Sequence, residues 1–136
     1  MTEPATITPF GRTHWAVIAI LAVVGLLQPA LGLLGVYGLL GRPWGPLLVA
    51  LAIAVCWVAV VVVRRVPRPL PTLVLVGGIY GVLAVVLEQV LLLYTGYRTP
   101  SGGAMVSAVL SNLVWGALLG LIALGLIRLR QSRRGD

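Results

Sequence analysis

Residues 49–63 read VALAIAVCWVAVVVV, a run with an apolar side chain on every face however it is wound. Such a stretch has no polar side to turn to water. In hydrocarbon its backbone N–H and C=O groups must be satisfied internally, which only helices and closed barrels achieve. Barrel strands alternate apolar and polar residues; this run does not, so it reads as a membrane-crossing helix.

Three further runs share its character, at 15–40, 72–94 and 105–127, and the run holding the quoted stretch extends over 46–63. A crossing helix takes about 20 mostly apolar residues. The fold expected is therefore all-α, an integral membrane four-helix bundle over 15–127, with an N-terminal segment at 1–14 and a basic tail at 128–136. The connections 41–45, 64–71 and 95–104 are too short to hold a soluble domain. Only 10% of residues are charged and the mean hydropathy is +1.07, against roughly a quarter charged in soluble domains. The first run exceeds the roughly 7–15 residue apolar core of a secretory signal and is expected to remain as a helix.

Every basic side chain is an Arg, and the ten sort by connection. Arg12, Arg64, Arg65, Arg68, Arg128, Arg130, Arg133 and Arg134 fall at one end of the bundle; Arg42 and Arg98 fall at the other. The positive-inside rule then puts both termini and the middle connection in the cytoplasm. Arg without Lys, in a chain rich in Leu, Val, Ala and Gly, points to a GC-rich genome and a multi-pass protein of a bacterial plasma membrane. The net charge of +7 hugs the helix ends, so no nucleic-acid partner is expected. Membrane lipids are, with Arg64, Arg65, Arg68, Arg128 and Arg130 as contacts to lipid phosphates, each worth roughly 1 kcal/mol near an anionic surface.

Small residues mark where membrane helices approach closely. The fourth run carries Ala104, Ala108, Asn112, Gly116 and Gly120 at four-residue spacing, and the first carries Gly32, Gly35, Gly38 and Gly41 at three-residue spacing. In the third, Gly77, Gly81, Ala84 and Glu88 share one face at 100° per residue, so Glu88 is expected to point at protein. Counted from the segment ends, Glu88 and Asn112 reach a common depth, with Ser111 and Gln89 adjacent and Gln28 about one turn deeper. Pro29 removes the N–H that would bond the carbonyl of Gly25. These five polar residues form the candidate proton- or ion-binding, or inter-helix, cluster, because an ionisable group inside a membrane is costly and marks function by default.

A four-helix chain of this length with one embedded Glu is similar in size to the small multidrug transporters. They carry that Glu on the first helix, whereas Glu88 stands on the third, and no family is assigned. One His, His14, one Cys, Cys56, and an Asp at the last position build neither a metal site nor a catalytic triad, so neither enzymatic activity nor a cofactor is expected. Four helices enclose no wide pathway, which implies a homo-oligomer or a larger membrane complex. The function expected first is a subunit or accessory factor acting through glycine-lined helix contacts. The alternative is a small oligomeric proton-coupled transporter with Glu88 as the titrating group.

Overall fold

The computed structural model describes residues 12–41, 43–96 and 100–133. The expectations for Arg42, Arg98 and Arg134, for residues 1–11 and for the last residues of the tail lie outside the described residues. In chain order the helices are α1 (Arg12–Gly25), α2 (Leu27–Leu33), α3 (Val36–Leu40), α4 (Trp44–Val63), α5 (Pro69–Thr95) and α6 (Gly102–Ser132), with no strand among the described residues. Four spans are long and apolar enough to cross a membrane: His14–Leu33, Trp44–Val63, Pro69–Tyr94 and Gly102–Ser132. The basic stretch expected as a tail from residue 128 begins as the last turns of α6.

The first apolar run is not one helix over 15–40. At Pro29 the missing N–H and the ring's clash with the carbonyl four residues back interrupt the ladder. Leu26 N–H donates three residues back to Val23 at 3.0 Å, and regular bonding resumes when Ala30 N–H reaches Leu26 at 3.1 Å. The second break lies at Leu34–Gly35, where Gly35 takes φ +72°, a left-handed conformation that glycine alone adopts without penalty. The chain doubles back there, so that the Tyr37 hydroxyl donates to the Gln28 carbonyl at 2.6 Å. Gly35 and Gly38 have open space around them, while a Cβ on Gly32 would come within 3.1 Å of the Tyr37 ring, so the three-residue glycine series shapes the turn between α2 and α3.

The end of α4 is closed by a Schellman motif. Val66 N–H donates to Val61 at 3.1 Å and Arg65 N–H to Val62 at 3.3 Å, while Val61 and Val66 are both buried. The left-handed position that usually holds glycine holds Arg65, at φ +50°, a conformation that costs an L side chain about 1 kcal/mol. Pro69 then opens α5, where a missing N–H leaves nothing unsatisfied.

α5 and α6 are the most extensively packed pair; α1 lies against α5, and α4 against α6 and, less extensively, α1. Ile18, Leu21, Trp57, Val61, Leu73, Val76, Leu119 and Ala123 form the core, which sits in the half of the bundle nearer the arginines. Beyond it the packing thins. Among the described residues none past Gly25 on α1 and α2, none past Gly81 on α5 and none before Gly116 on α6 is buried. The bundle is closed at the arginine-bearing end and more open at the other, where Gly45 at the start of α4 is the buried position among the described residues.

Candidate functional site

The α5–α6 contact runs along i±4 ridges. A Cβ on Gly77 would strike the backbone carbonyl of Asn112, and one on Gly81 would come within 3.2 Å of the Val109 backbone. From the other side, Gly116 meets the Leu73 carbonyl and Gly120 the Leu70 backbone, at 2.8 Å from its Cα. Four-residue spacing on both partners is the close, small-residue crossing common between membrane helices. The sequence reading of Gly77 and Gly81, and of Asn112, Gly116 and Gly120, as contact faces agrees with this geometry.

The same ridge explains where Glu88 goes. A row of residues four apart drifts about 40° per step around a helix, so the line from Gly77 through Gly81 continues to Val85, which with Val82 and Val86 lines a cleft facing Met105, Val106 and Val109 of α6. Ala84 and Glu88 fall aside from it. They line instead a groove of about 470 Å³ between α5 and the kinked first crossing, with Pro29, Gly32 and Leu33 opposite and Leu87, Leu91 and Leu92 alongside. Glu88 is exposed on the flank of the bundle.

The common depth expected for Glu88 and Asn112 is not what the register produces. Asn112 packs at the level of Gly77–Gly81, and Glu88 lies seven residues beyond Gly81, about 10 Å farther along α5 at 1.5 Å per residue. The Asn112 amide donates to Ala108, one turn back on its own helix, at 2.9 Å. Ser111 is exposed and lines a shallow depression on the outer side of α6 with Ser107 and Trp115. Gln89 is the next residue on the α6-facing ridge; its Nε2 is buried without a hydrogen-bond partner, a situation that costs a few kcal/mol and calls for an explanation. The five polar residues thus form no single cluster. Counting from segment ends missed this because α6 starts at Gly102, and because helix ends need not lie level.

Gln28 belongs to a different constellation, one that carries no charge in the sequence and so went unmarked. Its carbonyl accepts from Tyr37, and its Oε1 lies 3.5 Å from the Tyr80 hydroxyl. Tyr80 packs edge-on against Trp57, with ring centroids 5.8 Å apart at 79°, and the Trp57 indole N–H donates to the Leu21 carbonyl at 2.9 Å. Gly25 fits the corner between these two rings, where a Cβ would come within 2.7 Å of Tyr80 and 2.9 Å of Trp57. The aromatic pair therefore braces the first crossing just below its kink, and the kink forms one wall of the Glu88 groove. The signal available beforehand was an aromatic in the middle of each of two apolar helices, with N–H or O–H groups that need partners.

Neither a protein family, nor a curated protein, nor a solved structure matches the chain. Among the described residues no group of His, Cys, Asp and Glu has the arrangement of a metal site.

Proposed function

We propose that this chain is a subunit or accessory factor of a membrane complex, and that the groove between the first crossing and α5, with Glu88 on its edge, receives a helix of the partner. The observation that carries the reading is the placement of Glu88. Measured from the midpoint of Pro69–Tyr94, it stands about 10 Å along the helix, inside the roughly 15 Å half-thickness of the hydrocarbon layer. An exposed carboxylate at that depth is unfavourable facing lipid, and it occurs where the bundle is open. Every described arginine falls at the opposite end of the bundle, so a second copy lying in the same orientation brings none of them to this level. The partner favoured is a different membrane protein with a basic or hydrogen-bond-donating side chain in one helix. The glycine ridges contribute inside the chain, where they join α5 to α6, and leave this groove as the outward surface. The arginine-bearing end lies in the cytoplasm on the positive-inside rule.

A photo-crosslinker at Leu33 or Leu91 tests this in native membranes. A single integral membrane protein trapped from both positions, and lost with Glu88→Leu, supports the reading. A discrete homo-oligomer, together with proton-coupled flux in sealed vesicles that Glu88→Gln abolishes, would replace it with the transporter alternative, which draws on the same groove.

A further inference from the structure

A second polar cavity lies at the opposite end of the molecule, where the α4–α5 turn meets the last turns of α6. It is a partly open pocket of about 270 Å³ whose polar lining residues are exposed. Val62, Val66 and Ile127 supply apolar walls, and Arg65, Arg130 and Gln131 supply the polar groups. The two arginines come from segments 65 residues apart in the chain, so the tertiary structure brings them together. Among the described residues the only carboxylate is Glu88, about 30 Å away along α5 at 1.5 Å per residue. Two cations share a cavity with no described acid near it.

The backbone beneath one of them strengthens the case. Arg65 occupies the left-handed position of the Schellman motif, at φ +50°, where glycine is the residue that fits without strain. A strained conformation retained at a cavity mouth points to a role for the side chain. A guanidinium offers paired N–H donors matched to phosphate oxygens.

We infer that Arg65 and Arg130, with the Gln131 amide, form a binding site for one phosphate group. The apolar walls suit the part of a molecule that follows the phosphate, and the cavity lies at the level where the arginine-bearing helix ends leave the apolar spans. A phospholipid headgroup and a soluble phosphate share the chemistry that the two arginines recognise. Arg64, Arg68 and Arg128 line none of this cavity.

Native mass spectrometry of the full chain in neutral detergent tests the site, with phosphatidylglycerol, phosphatidylcholine and inorganic phosphate titrated in turn. The expected result is one saturable phosphate-bearing ligand, weakened about tenfold or more by Arg65→Gly and by Arg130→Gln and unchanged by Arg128→Gln. Retention of phosphatidylglycerol alone identifies a lipid site; competition by inorganic phosphate identifies a soluble ligand. Arg65→Gly should keep or raise the unliganded unfolding midpoint, because it removes backbone strain, so its loss of binding cannot be ascribed to misfolding. Equal weakening by all three substitutions, or full binding by Arg65→Gly, would overturn the proposal, as would failure of the wild-type chain to bind any of the three probes.

Discussion

The indole N–H of Trp57 on α4 donates to the backbone carbonyl of Leu21 on α1 across 2.9 Å, in the buried centre of the bundle. Helices one and two of the crossing order are thereby tied by a directional bond inside the core. Membrane helices gain nothing from burying apolar surface against one another, so such a bond and the shape of the surrounding contacts decide which helix lies where. Trp57→Phe keeps the ring and removes the donor. It should lower stability in detergent by about 1 kcal/mol, whereas Trp57→Ala should cost about 3 kcal/mol or more, both read from thermal unfolding. No loss in Trp57→Phe would show that the bond contributes nothing beyond the ring.

Gly25 is held between the Tyr80 and Trp57 rings. Gly25→Val should destabilise by about 2 kcal/mol through overpacking, and Tyr80→Ala in the same chain should recover part of that loss by vacating the corner. A double-mutant cycle on unfolding midpoints measures the coupling; additive losses would mean that the two positions do not touch.

The glycines of α6 differ sharply among themselves. Gly116 abuts the Leu73 carbonyl, while Gly125 has open space. Gly116→Ala should part α5 from α6 and cost about 2 kcal/mol, and Gly125→Ala should be neutral or stabilise by up to about 1 kcal/mol, since alanine is the better helix former. Unfolding of the two variants side by side checks the register of the helix pair.

Pro29 shapes the groove by breaking the first crossing. Pro29→Ala restores the N–H that can bond the Gly25 carbonyl, and the helix should straighten and gain stability. Crosslinking from Leu33 to the proposed partner should fall at the same time. Unchanged crosslinking in a demonstrably stabilised variant would show that the kink is irrelevant to the groove.

Four apolar helices and the segregation of arginine were legible without coordinates. Both follow from one-dimensional facts: the length and composition needed to span hydrocarbon, and the charges that flank each span. The small-residue ridges of α5 and α6 were legible too, because Gly77, Gly81, Gly116 and Gly120 recur at the spacing of neighbouring turns. The break at Pro29 was half visible: the lost hydrogen bond is a property of proline, but the reversal at Gly35 depends on Tyr37 finding the Gln28 carbonyl.

Relations between helices lay beyond that reach. The residues at 77, 81, 84 and 88 share an average face on an isolated helix, yet the partner follows a four-residue ridge that drifts around it, so Gly77 and Gly81 meet α6 while Glu88 looks into the groove beside Pro29. Likewise the spacing of Asn112 from a helix end said nothing of its level against α5, and nothing along the chain links Arg65 to Arg130. Composition and period determined that these helices exist and cross a membrane, because those depend on each segment alone with its solvent. Register, crossing geometry and which polar groups meet were decided only by the tertiary structure, because close packing selects one fit between surfaces out of many that the same apolar faces permit.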